Sequence, residues 1–243
     1  MRAAVITALN GPEAVEVQER PEPAPMSHQV LVDVEFAGVT FPDVLHTRGE
    51  YQRRPDVPFT PGWEVAGVVR ADAAGFRAGD RVAAMPTIGG FAETVAVDAH
   101  MVFPLPDDVS FDRAAALPLN YLTVHFAFTR RARLRRGEIV LVHGAAGGIG
   151  TAACQPAAAY GARVIAVVST TEKGKVARAA GAHEIVPVDG FRDEVRRLTD
   201  GRGVDVIVDP VGGDRFTDSV RSLARRGGCS SSASPAGRSR PSR

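Results

Sequence analysis

The stretch Ile139-Val-Leu-Val-His-Gly-Ala-Ala-Gly-Gly-Ile-Gly150 decides the fold of this chain. Its first four residues form a short apolar run that is typical of a buried strand, a glycine-rich turn follows, and residues 148–160 have the pattern of a helix. A strand, a tight turn and a helix in this order can bind the pyrophosphate of a dinucleotide. Glycines let the main chain approach the phosphates, and free N–H groups at the helix start attract the anion.

The turn departs from the G-x-G-x-x-G pattern at one position. Ala145, Gly147 and Gly150 occupy the three glycine positions, so the first of them is alanine. No Lys follows the last glycine, which excludes a Walker A phosphate loop. The residues predicted to bind the pyrophosphate are Ala145, Gly147, Gly148, Ile149 and Gly150.

The residues after the turn alternate between apolar strands and helices. Strands are predicted at 163–169, 184–188 and 204–209, and helices at 171–180, 191–199 and 214–226. This alternation predicts an α/β unit with a doubly wound parallel sheet and right-handed crossovers, a Rossmann domain.

The end of the second strand of this domain indicates which nucleotide fits. NAD-binding sites usually carry an acid there, which holds the ribose 2′-OH. This chain has Ser169, Thr170 and, four residues after Ser169, Lys173. Hydroxyls and an ammonium group suit a 2′-phosphate, so we predict that these three residues bind NADP(H). The alternative is that the hydroxyls only cap the next helix and that Lys173 is solvated.

Composition narrows the class of protein. The net charge of +1 over 243 residues argues against nucleic acid or an anionic membrane as the main partner. Two cysteines cannot build a disulfide framework. No apolar stretch is long enough to span a bilayer, and the first residues read as a strand rather than a signal peptide. We therefore expect a cytoplasmic protein that acts on a small molecule.

The first 118 residues have a different pattern. Residues 29–36 alternate between apolar and polar side chains, and further short apolar runs are separated by Gly and Pro. This predicts a compact β-rich domain, a small open barrel. A helix is expected after Ser110, ended by Pro118, and a second helix at about 120–134 leads into the glycine-turn domain.

The order of these parts resembles the medium-chain dehydrogenase/reductase superfamily, and in particular its zinc-free NADPH:quinone oxidoreductase branch, the zeta-crystallin type. The resemblance covers residues 1 to about 228. It implies a GroES-like domain at 1–118 and a Rossmann NADP-binding domain at 119–228. Besides the glycine turn, the motifs that carry it are Gly38-Val-Thr-Phe-Pro-Asp43, Arg48-Gly-Glu-Tyr51, Pro58-Phe-Thr-Pro-Gly-Trp-Glu-Val-Ala-Gly67, Asn120-Tyr-Leu-Thr123 and Asp209-Pro-Val-Gly-Gly-Asp214.

The resemblance also implies a catalytic set. It places Thr40, Asp43 and Tyr51 near the nicotinamide, with the cofactor-binding Thr123 on the other side. Tyr51 is the candidate donor to the substrate oxygen, because a phenol can both donate and orient. Asp43 would position neighbours or the nicotinamide ribose. Thr40 stands where the family usually has Asn, so an amide donor is lost. The alternative is a packed turn residue at Tyr51 and a helix-start residue at Asp43.

No metal is expected. Zinc-dependent relatives have a His in the Pro-Gly-His-Glu element, where this chain has Trp63, and neither cysteine lies near it. The six histidines show no spacing that would bind zinc, and we expect them to be surface or packing residues.

Two hypotheses for the function follow. The resemblance implies an NADPH-dependent enzyme that transfers a hydride to a quinone or an α,β-unsaturated carbonyl without zinc. Residues 229–243, however, contain no Val, Ile, Leu or aromatic residue. This predicts a disordered tail on a truncated or frame-shifted domain, whose incomplete sheet ends at the 204–209 strand. The second hypothesis is therefore a catalytically defective remnant with at most weak nucleotide binding, without the family's homodimer because the pairing strand is missing.

Overall fold

The structure is a computed structural model that describes residues 1–231 of the chain. The chain divides into two compact units, Met1–Leu119 and a second unit that begins at Asn120. Each unit has its own sheet and its own hydrophobic core.

Strands make up most of the first unit, whose elements are β1 (Arg2–Ile6), β2 (Val15–Glu19), β3 (Gln29–Gly38), α1 (Phe41–Thr47), β4 (Glu64–Val69), β5 (Arg81–Ala84), β6 (Thr94–Asp98), β7 (Val102–Pro104) and α2 (Phe111–Ala114). A five-stranded antiparallel sheet with the order β6-β3-β4-β5-β7 forms its centre. A separate antiparallel pair, β1 and β2, accompanies this sheet. The alternation in β3 buries Val30 and Val32 completely. Together with the antiparallel sheet, it confirms the predicted β-rich, open-barrel domain.

The second unit contains a five-stranded parallel sheet, whose strands are β8 (Ile139–His143), β9 (Arg163–Val168), β10 (Glu184–Pro187), β11 (Val204–Asp209) and β12 (Leu223–Ser231). Their order in the sheet is β10-β9-β8-β11-β12. The helices are α4 (Gly148–Ala159), α5 (Thr171–Ala179), α6 (Phe191–Leu198) and α7 (Phe216–Arg221). All strand pairs are parallel, so the predicted α/β fold with a doubly wound sheet is confirmed.

Pro118 begins a helix rather than ending one. It is the first residue of α3 (Pro118–Phe126), and a π-helical segment, Ala127–Ala132, continues from that helix. Proline is well suited to the first helical position, because the N–H group that it lacks would have no partner there and its φ angle already fits a helix. The predicted helix at 120–134 therefore starts two residues earlier and is α-helical only to Phe126.

The sheet does not end at the 204–209 strand, so that prediction is wrong. The helix predicted at 214–226 ends at Arg221, and β12 follows as a fifth parallel strand beside β11. Cys229 is in register with Ile207, so order continues to residue 231 rather than stopping at 228. Parallel pairing uses main-chain N–H and C=O groups, which small polar residues supply as well as apolar ones. The rest of the predicted disordered tail lies outside the described residues.

No helix within residues 1–231 is long and apolar enough to cross a membrane.

Candidate functional site

The glycine turn between β8 and α4 exposes main-chain donors. Gly144 has a positive φ of 56°, and the N–H group of Ala145 donates to the Val167 carbonyl on β9 at 3.3 Å. The N–H group of Thr151 donates to the Gly147 carbonyl at 2.8 Å. Gly147 is the N-cap of α4, so residues 148–150 supply the first-turn N–H groups that precede this bond. These donors are the ones that an anion at a helix start would engage.

Gly150 is required by close packing between the turn and the helix. A Cβ atom there would lie 2.2 Å from the Gly144 carbonyl oxygen and 2.6 Å from the Ala145 Cα atom. Ala145 itself is completely buried in the core of the second unit, so its methyl group has a place. The departure from glycine at the first position is therefore compatible with the turn.

The residues at the end of β9 cap the next helix and also offer donors to an anion. Thr170 is the N-cap of α5, and its hydroxyl accepts a hydrogen bond from the Lys173 N–H group at 3.3 Å. The Lys173 ammonium donates to the Ser169 hydroxyl at 2.9 Å. All three side chains are exposed. Because an ammonium group has three donors, Lys173 can contact Ser169 and an anion together.

The Asn120–Thr123 motif lies on α3, and its first residue reaches the glycine turn. The Asn120 Nδ2 atom lies 2.7 Å from the position that a Cβ on Gly148 would occupy. Thr123 is exposed on the same helix. Asn120 was absent from the predicted site residues, although the motif that contains it was identified. Its amide is therefore a further candidate to contact the cofactor.

His143 is a buried polar residue at the end of β8, directly before the turn. Its Nε2 atom lies 2.9 Å from the Ser219 hydroxyl of α7, and its ring packs edge-on against Phe191 at 4.8 Å between centroids. Burial lowers the pKa of His143, although Asp209 acts in the opposite direction. The sequence signal for this buried contact is a histidine within an otherwise apolar strand.

In the first unit, the carboxylate of Asp43 joins the start of α1 to a distant turn. One oxygen accepts hydrogen bonds from the Thr40 N–H group at 2.8 Å and from the Thr40 hydroxyl at 2.6 Å. The other oxygen accepts from the Gly62 N–H group at 3.1 Å. Asp43 is only 4% exposed. This geometry matches the helix-start alternative for Asp43, and it also fixes the turn that precedes Trp63.

Tyr51 packs on two neighbouring rings. Its ring centroid lies 4.9 Å from that of His46 and 5.3 Å from that of Trp63, and both contacts are edge-to-face. His46 and Trp63 are stacked on each other at 5.5 Å. We call His46, Tyr51 and Trp63 the aromatic cluster. Tyr51 is half-buried, so its ring is held on one side while the residue keeps access to solvent.

Glu64 is a buried acid at the start of β4. It is 2% exposed, and one of its carboxylate oxygens accepts a hydrogen bond from the Leu119 N–H group at 2.8 Å. Burial raises the pKa of Glu64, and the nearby Asp43 adds to this effect. The hydrogen bond from Leu119 acts in the opposite direction. The charged form of Glu64 is therefore less favourable in the fold than in the unfolded chain.

Changing Glu64 to Gln should stabilise the protein at neutral pH. Because the folded pKa is raised, the favourable contribution of the protonated acid is fully present below the unfolded pKa and is lost as the pH rises through the folded pKa. Gln keeps an acceptor for Leu119 and carries no charge. We expect the difference in Tm between Glu64→Gln and the wild type to increase from pH 4 to pH 8. The exposed Glu50→Gln variant is the control, and a difference that stays constant with pH would contradict this assignment.

Within residues 1–231, no group of three or more His, Cys, Asp or Glu side chains could hold a metal ion. Trp63 takes part in the aromatic cluster, and Glu64 accepts a main-chain hydrogen bond. The absence of a functional metal stays a prediction. Finding stoichiometric zinc in protein purified without added metal would contradict it.

The first unit also has a cavity of about 320 Å³, which lies apart from the residues predicted to act on the substrate. Its lining is largely apolar and includes Ala4, Val17, Val34 and Phe91. None of Thr40, Asp43 and Tyr51 lines it. The residues predicted to act on the substrate therefore lie outside this cavity.

Both units match known protein families. Residues 26–107 match the alcohol dehydrogenase GroES-like domain, and residues 148–240 match the zinc-binding dehydrogenase family. The quinone oxidoreductase of Homo sapiens is 36% identical over 234 residues, which cover 93% of this chain and 71% of that protein. The quinone oxidoreductase-like protein 2 of Rattus norvegicus is 42% identical over 233 residues, which cover 93% of this chain and 66% of that protein.

A solved structure agrees with these relatives. The quinone oxidoreductase of Thermus thermophilus, determined alone and in complex with NADPH, is 38% identical to this chain, with a TM-score of 0.84. The match covers 94% of this chain and 72% of that one. The fold and the glycine turn define a protein of the medium-chain dehydrogenase/reductase superfamily, and the chain belongs to its quinone oxidoreductase branch. It spans 66 to 71% of the length of the curated relatives compared above.

Proposed function

We propose that this protein is an NADPH-dependent oxidoreductase that transfers a hydride to a quinone or an α,β-unsaturated carbonyl without zinc. The observation that carries the proposal is the pair of features at neighbouring strand ends. The glycine turn offers first-turn N–H groups for a pyrophosphate, and Lys173 with Ser169 offers donors for a 2′-phosphate. The Ala145–Val167 hydrogen bond joins these two strand ends.

The residues present fit the cofactor. Because Gly150 has no Cβ atom, the turn can lie close to the start of α4, where the main-chain donors are. No carboxylate occupies positions 169–171 at the end of β9, so a 2′-phosphate meets no acid at these positions. NADPH, when bound, supplies the hydride. In this proposal Gly148, Ile149 and Gly150 donate their N–H groups to its pyrophosphate. Ala145 and Gly147, whose N–H groups donate within the protein, shape the turn that receives the pyrophosphate.

Three residues of the first unit are assigned to the substrate side. Tyr51 donates its hydroxyl proton to the substrate oxygen that gains charge as the hydride arrives. Asp43 is a positioning residue, because its carboxylate holds Thr40 and Gly62. Thr40 uses its own hydroxyl on Asp43, so in this arrangement it orders the helix start. Thr123 of the second unit completes the cofactor contacts.

Two measurements test the proposal. One is the binding of NADPH and of NADH, monitored by nicotinamide fluorescence, and the other is the rate of quinone reduction. We expect tighter binding of NADPH and measurable quinone reduction. Binding of NADPH without turnover would favour the second hypothesis, a catalytically defective protein with weak nucleotide binding. The cytoplasmic location and the absence of the family's homodimer stay predictions, which fractionation of cells and sedimentation would test.

Changing Lys173 to Ala should weaken NADPH binding about 10- to 100-fold, because a hydrogen bond to a charged group contributes about 1.5–3 kcal/mol. NADH lacks the 2′-phosphate and so makes no such contact with Lys173. The affinity of the variant for NADH should therefore differ from that of the wild type by less than about twofold. The measurement is the Kd of each nucleotide by fluorescence. Lys175→Ala, on the same helix and also exposed, is the matched control. An equal loss for NADPH and NADH would refute the assignment of Lys173.

A further inference from the structure

His46 is a member of the aromatic cluster that has no role in the proposed function. His46 is 3% exposed, and burial lowers its pKa, so the neutral imidazole is favoured. The Asp43 carboxylate and the Arg53 main chain act in the opposite direction but are the smaller causes. A histidine placed this deeply is usually held by hydrogen bonds. Around His46, the contacts of normal geometry are with other rings.

Among the described residues, neither ring nitrogen of His46 has a hydrogen-bond partner of normal geometry, and the same holds for Trp63 Nε1. The ring of His46 is instead surrounded by other rings. It stacks on Trp63 with an angle of 21° between the planes, and it meets Tyr51 and Phe59 edge-on at 86° and 89°. The contacts of His46 in this cluster are therefore made through its ring faces and edges.

The Asp43 carboxylate links the two segments that carry the stacked rings. His46 lies on α1, whose start is fixed by the hydrogen bonds between Asp43 and Thr40. Trp63 directly follows Gly62, whose N–H group donates to the other Asp43 oxygen. The carboxylate thus joins the helix that carries His46 to the turn that precedes Trp63. Tyr51 contacts both of them and is itself half-buried.

We propose that His46 is a positioning residue that holds the ring of Tyr51, by edge-to-face packing, in the orientation from which Tyr51 donates to the substrate oxygen. This inference rests on the proposed function and deepens it. Among the residues that the structure describes, Tyr51 has two aromatic neighbours, and His46 is the nearer one by centroid distance. Removing the ring of His46 leaves Trp63 as the remaining aromatic neighbour in this part of the chain and widens the range of orientations that the Tyr51 hydroxyl samples.

The kinetic test uses His46→Leu and His46→Phe in the wild type and in a Tyr51→Phe background. His46→Leu should lower kcat for a quinone about three- to tenfold, the effect of losing one aromatic pair, with the Kd of NADPH unchanged. His46→Phe keeps the ring and should restore kcat to within about twofold, because it retains most of the edge-to-face contact. In the Tyr51→Phe background, His46→Leu should cause no further loss of kcat, because the hydroxyl that His46 orients is absent.

Two kinetic outcomes would overturn the proposal. An equal loss from His46→Leu in both backgrounds would show that the histidine acts independently of Tyr51. Failure of His46→Phe to restore kcat would show that the ring nitrogens, and not the packing, are needed. His100→Leu, at an exposed histidine, controls for the loss of an imidazole.

A spectroscopic test does not depend on activity. The chain has three tyrosines, so incorporation of 3-fluorotyrosine gives three ¹⁹F resonances that single Tyr→Phe variants assign. His46→Leu should shift the resonance of Tyr51 and leave those of Tyr121 and Tyr160 unchanged. A Tyr51 resonance that does not move would overturn the positioning role. A shifted resonance in a protein that reduces no quinone would instead refute the proposed function and retain the contact.

Discussion

Changing Gly150 to Ala is expected to abolish useful NADPH binding. The added Cβ would lie 2.2 Å from the Gly144 carbonyl oxygen, so the turn and the start of α4 must move apart. Overpacking of this kind costs about 1–3 kcal/mol of stability. It also displaces the first-turn N–H groups from the pyrophosphate. We expect the Kd for NADPH to rise at least about 100-fold, which corresponds to about 2.7 kcal/mol of binding free energy, together with a lower Tm.

Gly147→Ala provides the comparison for this variant. The nearest atom to a Cβ at Gly147 is the Gly144 carbonyl oxygen at 3.4 Å, and its φ of −86° suits any residue. We therefore expect the Tm of Gly147→Ala to equal that of the wild type, whatever happens to NADPH affinity. Thermal unfolding followed by circular dichroism measures both variants. A Gly150→Ala protein with unchanged Tm and unchanged NADPH affinity would contradict the packing argument.

Changing Tyr51 to Phe should lower the turnover of a quinone about 100-fold, because a positioned proton donor contributes at least that factor. The ring remains, so its contacts with His46 and Trp63 persist, and the variant should fold normally. Steady-state kinetics should show the loss in kcat, while the Kd of NADPH is unchanged.

Tyr160→Phe is the matched control for the loss of a phenol. Its hydroxyl lies 3.2 Å from His125 Nδ1, and the proposal gives it no role at the substrate. Wild-type turnover in Tyr51→Phe would leave Tyr51 as a packing residue, which is the alternative that its ring contacts also allow.

Local pattern was sufficient for much of the second unit. The apolar run at 139–142 and the glycines after it form β8 and the turn, and Thr171–Ala179 forms the helix expected there. These elements were predictable because strand periodicity, glycine turns and helix caps act within a few residues. The same kind of signal failed at two places. Pro118 begins a helix instead of ending one, and residues 223–226 form part of a strand where a helix is predicted.

The candidate site could be predicted only in part. Resemblance identified Thr40, Asp43 and Tyr51 as a set, and the structure brings Thr40 and Asp43 into direct hydrogen bonding. It does not show Tyr51 bonded to either. The role of His46 was not predicted, although His46 and Asp43 are three residues apart on one short helix. A ring that is buried among other rings has no signature in the sequence, because those rings come from segments outside that helix.

By itself, the sequence determined the strand, turn and helix around residues 139–150 and the hydroxyl and ammonium groups at the end of β9, because these depend on neighbours along the chain. Only the tertiary structure decided two other features. One is the stacking of His46 and Trp63 under Tyr51, which depends on how α1 and the turn before β4 meet through Asp43. The other is β12, whose polar residues become ordered because β11 presents a free row of main-chain groups, and main-chain pairing does not depend on the side chains that the composition describes.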